Sequence, residues 1–527
     1  MPGQDPRSTS LRPVTTPVRR LVDLAGRLGT TPLAGTGPLD AAITGVTHDS
    51  TAVVPGDLYA ALPGSRTHGA HFADRAVAAG AVGVLTDQAG RAIVETGIFG
   101  APVIVVNDPR LELGGVASWI YGEPSKRLRV LGVTGTNGKT TTSYLLDAGL
   151  RAAGDKTGLV GTIETRIGDW VAPSARTTPE APDLQALLAV MAERGVGSVS
   201  MEVSSHALAL HRVDGTAFDV VAFSNLSQDH LDFHADLDDY FNAKARLFTS
   251  RFARAGVVNV DDDHGRRLLD VADIPLTTVS ATTRDAQWWV SDESYRSDGG
   301  TAGAQRTDFV VHGPDVVSAV SIQLPGSFNI ANALLAFVTL IVAGVDPRAA
   351  AQGIAGVLVV PGRMEAVSVA QPFTALVDYA HTPDAVATLL TTLRPTTAGR
   401  LIVVLGCGGD RDRAKRPLMG AAAARLADVA VLTSDNPRSE EPSEILAAML
   451  EGAMGVAAEQ RGEVIVELDR LTAIQIAVNQ ARAGDVVVVA GKGHEQGQEV
   501  GGVVHPFDDR TVLRAELAAL INGAGAS

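Results

Sequence analysis

Almost throughout the chain, short apolar runs alternate with alanine- and leucine-rich stretches of helical periodicity, which predicts an α/β fold. Valine-rich runs at 130–134, 199–203, 220–223, 401–405, 429–432 and 486–490 read as strands, the last three as buried parallel ones. Helical spacing predicts a helix over 140–153, stopped by Gly154, and another over 237–249 with Tyr240, Phe241, Leu247 and Phe248 as its apolar stripe. The longest uncharged apolar run, 333–345, falls short of the roughly 20 residues that span a bilayer and reads as a buried helix. Turn-rich segments at 121–127 and 360–363 divide the pattern into 19–127, 128–360 and 361–527. Residues 1–18, punctuated by four prolines, are expected to form a disordered leader, and the polar run 281–308 an excursion from the central part.

Composition narrows this picture. A chain of 527 residues is too long for one core and implies about three domains. The 44 basic and 59 acidic residues leave a net charge of -15, which argues against a nucleic-acid or anionic-membrane surface. Any anionic substrate must then be held by local Arg, Lys or Mg²⁺. Cys407, the single cysteine, excludes an internal disulfide and a cysteine-based zinc site, and makes a reduced, cytoplasmic compartment the default.

The richest segment is Gly135-Thr-Asn-Gly-Lys-Thr-Thr141, set between an apolar strand and a helix. Its glycines let backbone N–H groups close on phosphate oxygens, Lys139 can neutralise the outer phosphates, and Thr140 or Thr141 can place a hydroxyl on Mg²⁺. The strict Walker pattern needs glycine where Val133 stands, so the loop is a shortened variant. Beyond it, Glu202 and His230 follow two strands as candidate Mg²⁺ ligands. Lys244 lies on the apolar stripe of its helix, where it can snorkel, pair with Asp229, or lose its charge and add CO₂; the stripe alone favours snorkelling.

In the last third, three strands end in polar loops: Gly406-Cys-Gly-Gly-Asp-Arg411, Thr433-Ser-Asp-Asn-Pro-Arg438 and Gly491-Lys-Gly-His-Glu495. Ligands of open α/β sheets bind outside the carboxyl ends of the strands, so these loops should converge. Arg411 and Arg438 suit carboxylates, Asp435 and Glu495 an ammonium, and the set asks for a zwitterion. Read singly, each is an ordinary solvated loop charge; matching polarity at three strand ends favours a site.

Taken together, the phosphate loop, Glu202-Val-Ser-Ser-His206, Asn225 with Asp229-His230, Asn242-Ala-Lys-Ala-Arg246, Gly326-Ser-Phe-Asn-Ile-Ala-Asn332 and Asp435-Asn-Pro-Arg438 resemble the Mur ligases, in the branch that adds meso-2,6-diaminopimelate. The resemblance runs from about Leu39 to Leu520. It implies a smaller N-terminal α/β domain for a UDP-sugar, a central P-loop ATPase-type domain, and a Rossmann-like C-terminal domain for the amino acid. It also implies ATP-dependent amide formation through an acyl phosphate in the cytoplasmic stage of peptidoglycan synthesis, by a monomer whose partners are small molecules.

Carried over by position, Gly135, Thr136, Asn137, Gly138, Lys139, Thr140, Thr141, Asn329, Arg363, Asp378 and His381 would bind ATP. Ser50, His68, Gly69, Thr177, Thr178, Ser204 and Arg212 would hold the UDP-muramoyl dipeptide. Arg411, Asp435, Asn436, Pro437, Arg438, Gly491 and Glu495 would hold diaminopimelate. Mg²⁺ would fall to Thr140, Glu202, His230 and Lys244, the last as a carbamate, which reverses the order of preference for that side chain. One departure is Leu210, where some relatives carry glutamine.

Two rivals share the phosphate loop. A folylpolyglutamate synthase would need neither the N-terminal UDP domain nor the Asp-Asn-Pro-Arg loop. A nucleotide-switched binding protein would sense ATP without ligating anything.

Overall fold

A computed structural model describes residues 11–33, 37–94, 100–297 and 305–524. Three sheets organise them. A four-stranded parallel sheet takes Gly45–Thr47, Asp57–Ala60, Gly83–Thr86 and Val103–Val105 in chain order. A mixed sheet of eleven strands spans Arg129–Thr134 to Val317–Ile322, and a six-stranded sheet forms from Glu365–Ala366 to Val486–Ala490.

In the large sheet, the strand Arg129–Thr134 lies between Ser198–Glu202 and Phe218–Phe223, all parallel. The register sets Glu202 opposite Val133 and Phe223 opposite Thr134. Everything that follows these strands therefore emerges at one edge, as an open parallel sheet requires of its binding site. Apolar clusters cover both faces, one around Phe218, Phe241 and Phe248, the other around the helix Phe328–Val342. That helix extends the expected 333–345 run towards its N-terminus, because Phe328 and Ile330 also pack inward.

The polar run at 281–308 is not an excursion. Trp288–Ser297 and Gln305–His312 pair antiparallel and extend the large sheet, with Trp288, Phe309 and Val311 buried on its inner face. Alternation of buried and exposed side chains gives such strands a polar sequence overall.

Residues 11–18 are not loose either. Arg12 forms an ion pair with Asp57, whose side chain is completely buried, and Glu193 accepts hydrogen bonds from the Val14 and Thr15 amides at 2.9 and 2.6 Å. The strap thereby joins the N-terminal sheet to the helix Ala181–Glu193 of the central part. A leader reading based on missing apolar periodicity overlooks attachment by charge; residues 1–10 lie outside the described set.

In the last sheet, Val486–Ala490, Leu401–Cys407, Val429–Ser434 and Glu463–Val466 run parallel as neighbours, with apolar layers on both faces. Burial on two sides is what makes these strands continuous valine and leucine runs.

Candidate active site

The phosphate loop is locked from below. Asn225 accepts from the Asn137 amide at 2.9 Å and donates back to its carbonyl at 3.2 Å, and Ser224 donates to the same carbonyl at 2.6 Å. Gly135, at φ 146°, and Gly138, at φ 86°, take conformations that L side chains rarely adopt. A Cβ at Gly135 would also sit 1.9 Å from Ser224 Oγ, and one at Gly138 2.3 Å from Asn332 Oδ1. The helix Lys139–Ala152 starts directly after, pointing its N-terminal dipole at the loop.

Beside this loop lies a cavity of about 290 Å³. Its walls come from both larger sheets: residues 136–141, Glu202 and His230 on one side, Arg363, Asp378 and His381 on the other. Arg363 Nη2 donates to Thr140 Oγ1 at 2.9 Å and its guanidinium lies 4.5 Å over the Tyr379 ring, while its Nε is buried without a partner. A buried donor left over on a cavity wall is fitted to an anionic ligand. Asp378 accepts from the Met364 and Ala380 amides, and burial raises its pKa. Burial, with Lys415 nearby, pushes the His381 imidazole down to about 4.

Asn329 is set back from this cavity. Its side chain donates to Pro325 O and accepts from Asn332, and it is Asn332 that lines the wall. Asn329 thus holds Asn332, which the i, i+3 spacing puts on the same helix face.

The candidate metal residues gather unevenly. Glu202 is fully buried and accepts from Thr140 Oγ1 and Thr162 Oγ1, both at 3.0 Å. His230 lies in the same cavity in a left-handed conformation, its pKa pushed down to about 3 by burial. Lys244 does not snorkel: it is 1% exposed and donates to Gly135 O at 2.8 Å. Burial and the neighbouring Lys139 hold its pKa well below the usual lysine range. Among the described residues, no three His, Cys, Asp or Glu side chains form a ready cage. A carboxylate with adjacent hydroxyls still fits Mg²⁺, which prefers oxygen ligands and keeps several waters.

On the substrate side, Thr177 and Ser204 line the same cavity, and Thr178 beneath them donates to Glu202 O. Arg212 pairs with Glu180 at 2.9 Å, and Arg110 reaches the same carboxylate at 3.9 Å. Arg110 also borders a second cavity, of about 350 Å³, lined by Ser50 and Gly69. His68 is turned to structural work, accepting from the Ala70 amide and meeting Asp87 at 3.1 Å. Sequence reading missed Arg110, Glu180 and Thr162, which carry no motif and are assembled only by the fold.

The three C-terminal loops do converge. Asn436 donates to Glu495 at 2.7 Å, and Arg438 donates to Gly409 O at 2.6 Å. Gly491, at φ 110°, brings its backbone so near Asp435 that a Cβ would stand 2.7 Å from the carboxylate. Arg438 is itself left-handed, at φ 53°, held by backbone bonds to Glu499 and Gly501. Lys492, fully buried and given no role by the sequence although its loop was, donates to Asn436, Glu495 and Gly497 O. Burial and Asp435 raise the Glu495 pKa; Asp435, although buried, is held low by Lys492 and Arg470. Arg411 is exposed, and its side chain donates to its neighbour's carbonyl, Asp410 O, at 3.3 Å.

Family models match this chain in three consecutive blocks: a Mur ligase catalytic domain at 42–118, a Mur ligase middle domain at 133–340 and a Mur ligase glutamate ligase domain at 362–493. The chain belongs to the Mur ligase family. A Streptomyces avermitilis relative named UDP-N-acetylmuramoyl-L-alanyl-D-glutamate--2,6-diaminopimelate ligase is 56% identical, covering 95% of this chain and 97% of its own. A Leifsonia xyli relative, 43% identical over 97% of this chain and 98% of its own, is named UDP-N-acetylmuramyl-tripeptide synthetase, which leaves the third residue unstated. A solved structure of a diaminopimelate ligase with the first of these names superposes with a TM-score of 0.64 at 33% identity, covering 96% of this chain and 99% of that one. Mur ligases thus supply the three-domain α/β architecture that the strand pattern called for.

Proposed function

We propose that this Mur ligase joins meso-2,6-diaminopimelate to UDP-N-acetylmuramoyl-L-alanyl-D-glutamate at the expense of ATP, in peptidoglycan precursor synthesis. The observation that carries the reading is the 56% identity to a relative of that name over 95% of the chain. The geometry is in keeping with it, since the phosphate loop and an adjoining polar wall share one cavity between the two larger sheets, and the C-terminal loop cluster carries groups suited to a zwitterion.

In this mechanism the glutamyl carboxylate attacks the γ-phosphorus, giving an acyl phosphate and ADP. The amine of diaminopimelate then attacks the acyl carbon, the amide forms and phosphate leaves. Lys139 leaves its two loop carbonyls, Gly135 O and Thr136 O, for the phosphates, whose transfer it steadies by charge. Arg363 brings a second cation across from the C-terminal domain to the Thr140 side chain. Thr177, Thr178, Ser204 and Arg212 hold the muramoyl peptide, with Ser50 and Gly69 towards the uridine end. Asp435 and Glu495 receive the ammonium group, Arg438 and Arg411 the carboxylates. Domain closure excludes water from the acyl phosphate.

Mg²⁺ would be held by Glu202, Thr140 and His230, where it would offset the charge of the phosphates. Lys244 suits carbamate formation because a neutral amine, unlike an ammonium, can add CO₂. As a carbamate it would pair with Lys139 instead of repelling it. No described helix is long and apolar enough to cross a membrane, and we place the reaction in the cytoplasm, where ATP and UDP-linked precursors are at hand, with a single chain sufficient for each cycle.

Coupled-enzyme assay of ADP release tests the reading. Turnover should require both the UDP-muramoyl dipeptide and diaminopimelate, with L-lysine and L-ornithine as comparison amines. ATP hydrolysis indifferent to the amino acid would instead favour a nucleotide-switched binder.

A further inference from the structure

The C-terminal domain contains a guanidinium with no place in the chemistry above. Arg470 opens the helix Arg470–Gln480 and its side chain has no exposure. A cation in a first helical turn opposes the helix dipole, so helix formation does not explain it. Its partner, Asp509, opens the helix Asp509–Ala524, equally buried. Nε and Nη2 donate to the two Asp509 oxygens at 2.8 and 2.7 Å, leaving the other edge of the fork free to act elsewhere.

That edge spans the sheet. Nη1 donates to Ser434 O at 3.1 Å and Nη2 to Ala490 O at 3.0 Å. Ser434 and Ala490 are the last residues of two strands that are not neighbours, because Leu401–Cys407 runs between them. The residues that follow are Asp435 and Gly491, whose backbone and carboxylate are in the near contact described above. One planar fork bonds both terminal carbonyls.

We propose that Arg470 is a positioning residue for the amino-acid site: by tying Ser434 O and Ala490 O to Asp509, it sets the spacing between the Asp435 loop and the Gly491 loop that receive the incoming amine substrate. This rests on the diaminopimelate-ligase reading. A purely structural ion pair would need only Asp509; the two carbonyl bonds are what aim it at the loops. Arg470 also helps keep Asp435 ionised from behind the site.

Three variants test this: Arg470→Lys, Asp509→Asn, and Arg470→Met combined with Asp509→Leu. The double variant removes both buried charges together, a change that buried ion pairs often tolerate. Wild type is assayed first. If it does not ligate diaminopimelate, the functional reading fails and not the role of Arg470. Given wild-type ligation, Asp509→Asn, whose side-chain oxygen can still accept from the fork, should raise the KM for diaminopimelate less than Arg470→Lys does. Arg470→Lys and the double variant should raise that KM at least about tenfold while kcat and the KM values for ATP and the UDP-substrate stay within about threefold. The acid limb of kcat/KM for diaminopimelate should move to higher pH in the double variant, which removes the positive charge behind Asp435. An unchanged KM for diaminopimelate in Arg470→Lys, or all three KM values rising together in it, overturns the proposal, and Arg470→Lys decides alone if the double variant does not fold.

Discussion

Lys139 and Lys244 donate to the same carbonyl, Gly135 O, each at 2.8 Å. Two ammonium groups on one oxygen inside a folded domain repel each other, and burial lowers both pKa values, that of Lys244 further. The arrangement makes sense when one of them becomes an acid and the other meets phosphate.

Replacing Lys139 by alanine should therefore abolish ligation with little loss of stability. Removal of a charge that meets the transferring phosphoryl group costs on the order of a hundred- to a thousandfold in kcat. The melting temperature should hold or rise, because a buried like-charge contact disappears. Near wild-type ADP release from this variant would remove the phosphate-loop assignment.

Lys244→Ala tests the carbamate. The variant should be inactive, and acetate or formate should restore part of its turnover by supplying a carboxylate in the vacated space, with no gain for the parent. Mass spectrometry of the crystalline enzyme, or density at the Lys244 amine, reports the adduct directly; a bare amine in active enzyme would refute it.

How much of this was legible beforehand differs by element. The strand 486–490 is found unchanged, since a run of four valines and alanine buried on two faces has one reading. The phosphate loop was equally plain because its chemistry is local: glycine conformation, lysine and hydroxyls within seven residues. Lys244 was not, as the helical stripe shows that a lysine faces inward but not that its amine ends on Gly135 O. Nor were Lys492 and Arg470, whose bonds to Asn436 and to Asp509, Ser434 O and Ala490 O join segments remote in sequence. The strap at Arg12 failed for a related reason: its anchors, Asp57 and Glu193, are visible only after folding.

Arg12→Ala should lower the melting temperature by several degrees. Asp57 would be left as a completely buried carboxylate that keeps its Val54 amide bond but loses the guanidinium, a loss of about 3 kcal/mol for a broken buried pair. Deleting residues 1–18 should do at least as much. Unchanged melting after either alteration would show that the strap contributes nothing to stability.

Acid should weaken the fold through two half-buried imidazoles. His381 and His494, both neutral when folded, have pKa values pushed down by burial to about 4 and about 3, from 6.5. The unfolded chain then binds more protons than the folded one as pH falls below 6.5, so the stability they contribute is present above that value and is lost on the way to about 4. The melting temperature should fall between pH 7 and pH 5, less steeply in a His494→Asn variant. Equal slopes for both proteins would contradict the assignment.

Amino-acid choice depends on what Arg438 does without a second carboxylate. Were it bare and buried, lysine in place of diaminopimelate would suffer the full cost of an unpaired charge. The structure moderates this: Arg438 is 23% exposed in its side chain, already donates to Gly409 O, and lies 3.6 Å from Glu499. The extra carboxylate of diaminopimelate therefore replaces partners that Arg438 already has. A charge-assisted contact is worth about 1.5–3 kcal/mol, which is roughly ten- to a hundredfold in kcat/KM. Arg438→Ala should raise the KM for diaminopimelate by about tenfold or more and leave those for ATP and the UDP-substrate nearly unchanged. Equal kcat/KM for lysine and diaminopimelate in the parent enzyme would show that the carboxylate is not read at all.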